Sequence, residues 1–229
     1  DSCLEKNNLT KKIIYNGVKV SEHAYSSTLR KLLRGTLNND DYSVAIYRRF
    51  LISSVMYVDL LEKFVKQKKP TKIICNHGIY LEHGVLIDFC KVHNIHAIVY
   101  GFPYRRNTIM ASHYDTYHRD CLSEPNLRWE KVDLSDSKLK ILDTYMKSKV
   151  SGGRDNVNYH PNPIIKKEIL FKELGLNKKE KYDCLLTNTL WDAQIFYKSN
   201  IFKNMLEWIY ETIDQYKNIN DRKLIIRIH

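Results

Sequence analysis

An α/β fold built on parallel strands is what this sequence predicts, and three observations lead there. Two short apolar runs rich in β-branched residues, "TKIICN" (71–76) and "IHAIVY" (95–100), have the composition of buried strands. Between them "VLIDFCKVHN" (85–94) places Val85, Leu86, Phe89, Cys90 and Val92 at helical spacing. Strand, helix and strand in that order form a parallel crossover unit of the doubly wound class. The pattern then restarts late in the chain, with strands "YDCLLTNT" (182–189) and "KLIIRIH" (223–229) around a second helical segment.

The remaining elements follow in chain order. Residues 40–70 read as one long helix, because Val44, Leu51, Val58 and Val65 recur at seven while Tyr47, Val55 and Leu61 widen the same face. Asp40 or Asp41 caps its start, Lys66, Lys68 and Lys69 suit its end, and Pro70 stops it. "SDSKLKILDTYMKSKV" (135–150) reads as a helix capped by Ser135 or Asp136 and broken by "SGGRDN". A short helix is expected within 160–177, with Pro163 in its first turn and Gly175 past its end. The segment 200–218 is amphipathic through Ile201, Met205, Trp208, Ile209 and Ile213. A lone strand-helix-strand unit buries its faces poorly. Residues 1–178 are therefore expected to form one parallel-sheet domain and 179–229 the beginning of a second, incomplete one.

Composition bounds the function classes. The chain has 229 residues, 43% of them hydrophobic, enough for a real core and unlike a disordered composition. The opening twenty residues hold no apolar run, and no stretch reaches the roughly 18 apolar residues of a membrane span. Five cysteines (Cys3, Cys75, Cys90, Cys121 and Cys184) are scattered without a CxxC pair, which fits reduced thiols in the cytoplasm. A formal net charge of +11 calls for an anionic partner or a solvated basic surface.

In open parallel sheets, ligands bind beyond the carboxyl ends of the strands. Polar clusters fall just there: Asn76, His77 and Gly78; the stretch Gly101 to His118; Thr187, Asn188, Thr189, Trp191 and Asp192; and Arg227 with His229. Gly78 lets backbone approach a ligand at a strand-to-helix turn, but the GxGxxG spacing of a dinucleotide site is absent. His77, Glu82 and His83 offer a general base, against the plainer reading of His77 as a turn residue and Glu82 as a first-turn carboxylate.

"MASHYDTYHRD" (110–120) is the most crowded polar stretch. Its spacing matches no zinc signature, so no metal is expected at His113, Asp115 and His118. As a catalytic loop it supplies His113 or Asp115 as base, with Tyr104, Arg105 and Arg106 holding a phosphate or carboxylate. As a plain loop, Ser112, Asp115 and Thr116 cap the following helix. Arg227, on an otherwise apolar strand, calls for an anionic partner, and Trp191 suits stacking on a base or sugar ring.

"HGIYLEHGVLIDFCKVHNIHAIVYGFPYRRNTIMASHYDTYH", followed by "SEPNLRWE", resembles bacterial capsular-polysaccharide biosynthesis proteins of the GT-B glycosyltransferase type. The likeness rests on Gly78, Ile79 and Tyr80, Gly84, Tyr104 and Arg105, Ser112 and His113, Asp115 to His118, Glu124 and Pro125, and Trp129, and extends over roughly 70–229. It implies two Rossmann-like domains facing a cleft. Asn188, Trp191, Asp192, Arg227 and His229 would then lie on the nucleotide-sugar donor side. His77, Glu82, Arg105, His113, Asp115 and His118 would lie on the acceptor side, where Gly78, Tyr104 and Ser112 also fall. Such enzymes use no metal or other cofactor. The expected partners are a nucleotide-sugar, a glycan or lipid-linked glycan acceptor, and peripherally an anionic inner membrane face, with the protein in the cytoplasm. Nucleic acid is not expected, since the lysines are scattered rather than interleaved with aromatic platforms. The rival readings are a sugar-nucleotide epimerase and a non-catalytic nucleic-acid or glycan-binding module.

Overall fold

The computed structural model describes residues 9, 12–123, 129–151, 155, 166–192 and 201–229. The fold is α/β, with a small mixed sheet in the first part and a small parallel sheet in the last.

The first helix, α1 (Val20–Leu32), carries no apolar stripe of ordinary kind. It buries Ser21, His23, Ser26, Ser27 and Thr28 beside Val20, Ala24 and Leu29. Buried polar groups need partners, and Ser21, Ser27 and Thr28 have them. The Ser21 hydroxyl accepts from the Ile13 amide (2.8 Å), the Ser27 hydroxyl accepts from the Leu81 amide (2.8 Å), and Thr28 donates to the Ala24 carbonyl (2.7 Å).

The second helix, α2 (Asp41–Lys68), follows the seven-residue pattern: Val44, Tyr47, Leu51, Val58 and Leu61 are buried. Asp40 is its cap, accepting from the Ser43 amide at 2.9 Å. That bond and the Ser43 hydroxyl hold the Asp40 carboxyl down at about 2. Lys69, in the left-handed conformation ahead of Pro70, closes the far end.

Strand β1 (Lys72–Asn76), helix α3 (Tyr80–Val92) and strand β2 (His96–Gly101) form the expected parallel crossover, in register from Lys72 opposite His96 to Asn76 opposite Tyr100. Helices α1 and α2 pack on each other and both pack on α3, around a core that includes Val58, Val85, Phe89, Ala97 and Val99. The wholly parallel sheet expected for this domain is corrected here. Strand β3 (Met110–His113) runs antiparallel to β2, with Gly101 opposite Met110 and Ile98 opposite His113. Residues 102–109 are too short for a parallel crossover, which takes about a dozen residues.

Beyond β3 come α4 (Tyr117–Ser123), α5 (Asp136–Ser151) and α6 (Lys167–Glu173). The expected break at Gly152 and Gly153 and the Pro163 turn lie outside the described residues. Strand β4 (Tyr182–Leu186), helix α7 (Met205–Tyr216) and strand β5 (Lys223–Arg227) form the second crossover, with β4 and β5 parallel from Tyr182 opposite Lys223 to Leu186 opposite Arg227. Asn204 caps α7 by accepting from the Glu207 amide, so Ile201 falls before the helix and is exposed rather than on its apolar face. Among the described residues, no helix is long and apolar enough to cross a membrane.

Candidate functional site

The carboxyl end of β1 turns sharply into α3. His77 and Gly78 both take the left-handed conformation (φ 68° and 71°), and Tyr80 does so again (φ 64°). Left-handed non-glycine residues are uncommon and cost free energy, so the surroundings must hold them. They do: the His77 amide donates to the Tyr100 carbonyl (2.9 Å) and the Thr116 hydroxyl donates to the His77 carbonyl (2.8 Å). Glycine is required at 78 for a second reason. A Cβ there would lie 2.8 Å from Val99 Cγ1 and 3.2 Å from the Thr116 Cα.

Thr116 therefore fixes the start of α4 against this turn, and with it Tyr117 and His118. Nδ1 of His77 and Nε2 of His118 stand 3.3 Å apart, a long hydrogen bond in which one ring nitrogen donates and the other accepts. The Tyr117 ring packs near both imidazoles, with centroids 5.9 Å from His77 and 4.4 Å from His118.

The segment after β4 reaches the same place. The Tyr80 hydroxyl donates to Oδ1 of Asp192 at 3.0 Å. The Arg30 guanidinium, from the end of α1, lies 4.5 Å from the Tyr80 ring centre and 5.9 Å from that of Trp191. Four parts of the chain thus meet: the end of α1, the β1–α3 turn, the start of α4 and the segment after β4.

The electrostatics follow from half-burial. Burial first, then the proximity of His77, pushes His118 down to about 4, with Asp192 pulling weakly the other way. His77 is lowered by burial and by His83 and Arg30, opposed by Asp192. Both imidazoles are neutral at pH 7. A neutral imidazole is a proton acceptor on one nitrogen and a donor on the other, which suits general base work on a hydroxyl.

The structure brings together five of the residues singled out in the sequence: His77, Gly78, His118, Trp191 and Asp192. It separates the others. His113 is exposed toward the amino end of β2, where its Nδ1 lies 2.8 Å from Nε2 of His96 and the two rings stack. The antiparallel course of β3 carries it there, away from the carboxyl end of β1.

Asp115 is held by Lys91 (2.7 Å) and Arg119 (3.3 Å), and it accepts from the Thr116 amide (2.7 Å). Arg119 continues to Glu22 at 2.8 Å. Ser112 is buried and donates to the Asp115 carbonyl. Ser112 and Asp115 thus brace the loop ahead of α4 and tie it to the end of α3, while the Thr116 hydroxyl accepts from the His118 amide of α4 at 3.4 Å. Glu82 is an exposed carboxylate in the first turn of α3.

Tyr104 and Arg105 belong to another cluster. Arg105 stands 5.8 Å from the Tyr145 ring centre, and Lys149 lies 5.1 Å from that of Tyr104 while pairing with Asp155 at 2.7 Å. Asn188 is exposed, its side-chain oxygen accepting from the Thr189 amide.

Arg227 and His229 are exposed at the end of β5, where the Thr187 amide donates to the Arg227 carbonyl and the Thr187 hydroxyl accepts from the His229 amide. Arg227 stands out in the sequence as a cation on an apolar strand; among the described residues its side chain is exposed rather than enclosed in the sheet. Buried Cys75 and Cys90 have thiols pushed up to about 11 by burial and are poor nucleophiles. The side chain of Cys121, like Glu124 and Pro125, lies outside the described residues. Among the described residues, no three His, Cys, Asp or Glu side chains are grouped to hold a metal ion.

Sequence reasoning missed Arg30 altogether and gave Tyr80 and Thr116 no role of their own at the site. A tyrosine opening a helix straight after His-Gly was the available signal for Tyr80; Arg30 offered none.

Comparison with protein-family models, with curated proteins and with solved structures returned no match for this chain.

Proposed function

We propose that this chain is a glycosyltransferase of the GT-B type, or a portion of one, which transfers a sugar from a nucleotide-sugar to a bacterial surface glycan such as capsular polysaccharide. The single observation that carries the reading is the meeting of the His77–His118 pair with Asp192 and Trp191 beyond the strand ends. Transfer to a sugar hydroxyl needs a base that is unprotonated near neutral pH, a planar surface for a base or sugar ring, and a cation for the leaving phosphate. The imidazole pair, Trp191 and Arg30 supply these in turn. The acceptor hydroxyl loses its proton to an imidazole nitrogen as its oxygen bonds to the anomeric carbon. The carbon–oxygen bond to the donor phosphate breaks, and the nucleoside diphosphate or monophosphate leaves with that electron pair. In this reading Asp192 steadies Tyr80 and biases the imidazoles toward accepting a proton.

A thermal-shift panel of CMP-, UDP-, GDP- and dTDP-sugars on the longest natural form of the chain tests this. One donor class is expected to raise the melting temperature by a few degrees at saturating concentration, and Trp191→Ala to abolish that rise. Salt-sensitive binding of RNA, with no donor bound, would sink the proposal.

A further inference from the structure

Helix α2 buries one side against α1 and α3 and leaves the other open. On the open side Ile52, Met56, Leu60 and Phe64 recur at every fourth residue and are 53%, 65%, 60% and 44% exposed. Residues four apart lie one above another on a helix, so these four form a continuous apolar ridge, with Tyr42 (62% exposed) a few turns before it. Spanning twelve residues at 1.5 Å each, the ridge is about 18 Å long. Isolated exposed apolar side chains are ordinary, but an unbroken ridge is an interaction surface.

The charges around the ridge say what it meets. Arg48, Arg49, Lys63 and Lys66 are exposed beside it. By helical geometry Arg49 and Lys63 lie almost in line with Met56, one two turns before it and one two turns after. The two acids in this part of the helix are held back at one flank: Asp59 accepts from the Tyr15 hydroxyl (2.8 Å) and Glu62 from the Asn16 amide (2.7 Å). The whole chain carries +11.

A second copy of the chain fits this poorly. Antiparallel pairing centred on Met56 sets Arg49 against Lys63, and parallel pairing sets each cation against itself. An apolar ridge with cations along it and at its rim is the arrangement by which a helix lies in the headgroup region of an acidic bilayer, its long basic side chains reaching up to the phosphates.

We propose that the open face of α2 docks on an anionic phospholipid surface, apolar ridge inward. This rests on the helix alone and stands whether or not the glycosyl-transfer reading holds.

The test is co-sedimentation of the intact chain with vesicles of phosphatidylglycerol and phosphatidylethanolamine, beside vesicles of phosphatidylcholine alone. Binding is expected to the acidic vesicles and to weaken with salt. The double variant Met56→Gln with Leu60→Gln should lower it about ten-fold or more. Arg49→Glu with Lys63→Glu should lower it further than Lys172→Glu with Lys178→Glu, which makes the same charge change elsewhere, by about five-fold for each residue reversed. All six positions are exposed, so circular dichroism should show each variant folded. Three results would overturn the proposal: no binding to acidic vesicles, equal binding by the Met56 and Leu60 variant, or a dimer in sedimentation equilibrium that this variant dissolves.

Discussion

The Tyr80 hydroxyl donates to the Asp192 carboxylate at 3.0 Å, joining side chains 112 residues apart in the chain. Tyr80 is buried at the start of α3, and its left-handed backbone aims the ring out of the turn. Tyr80→Phe removes the hydroxyl and keeps the ring beneath Arg30. It is expected to cost about 1 kcal/mol by thermal unfolding and to weaken nucleotide-sugar binding more than ten-fold. A variant that melts and binds as the parent does would make the contact incidental.

The histidine pair predicts a pH dependence with a definite sign. His118 is held near 4 in the folded chain, below the ordinary 6.5, chiefly by burial and secondarily by His77. Between those values the unfolded chain binds more protons, so stability falls as pH drops from about 6.5 through 4 and is complete above 6.5. Discounted for partial exposure, the contribution is about 1–2 kcal/mol. Urea denaturation at pH 7 and pH 4.5 should show it, and His118→Gln should flatten the difference.

Beneath the site, His23 of α1 meets Asp88 of α3 at 2.9 Å, with both side chains almost fully buried. Burial alone would raise the Asp88 carboxyl, but the bond and charge of His23, with Lys91 and Lys19, outweigh it and hold the group low. Removing one partner strands the other, so Asp88→Ala is expected to cost about 3 kcal/mol. Gly84 lies against the His23 ring, and a Cβ there would stand 2.6 Å from its Cε1 and closer still to its Nδ1. Gly84→Ala should therefore cost about 1–3 kcal/mol, and the double variant with Asp88→Ala should cost less than the sum. Chemical denaturation of the three proteins decides it.

His113 lies outside the proposed site. His113→Ala is expected to change donor affinity less than two-fold and stability by less than about 1 kcal/mol, the range for exposed positions. His77→Ala should abolish transfer in an assay of acceptor-dependent nucleotide release. Loss of activity in the His113 variant alone would move the chemistry to the His96–His113 pair.

How much of this was legible in the sequence divides along physical lines. Helix α2 was readable because its core-facing side repeats Val44, Leu51, Val58 and Val65, and β1, β2 and β5 because their runs are short, apolar and β-branched; β4 showed only the short run Cys184 to Leu186 ahead of polar turn residues. Helix α1 was not, because what it buries is Ser21, His23, Ser26, Ser27 and Thr28. His23 and Ser27 bond to α3 and Ser21 to the Ile13 amide, and such bonds leave no periodic trace in one sequence. Strand β3 hid in a polar stretch for a related reason: four residues pairing along a single edge need no hydrophobic run. The same stretch held the main error at the site. Seven residues from Ser112 to His118 looked like one constellation, yet Tyr114 turns left-handed (φ 64°) and divides them. Before the turn His113 stacks on His96; after it Asp115 pairs with Lys91 and Arg119, while Thr116 and His118 bond His77.

The buried apolar side chains are unevenly shared. Among the described residues, those of the core run from Leu9 to Val99, with Leu185 the sole buried apolar side chain beyond. A pair of parallel strands with so little beneath it has small cohesion of its own. Warming should release β4 and β5 while α1, α2 and α3 still hold the first sheet. Asp192 and Trp191 hang from that looser portion, whereas His77 and His118 are anchored to the firmer one. The two halves of the proposed site thus part company before the protein melts, and whatever binds between them acts as the clasp.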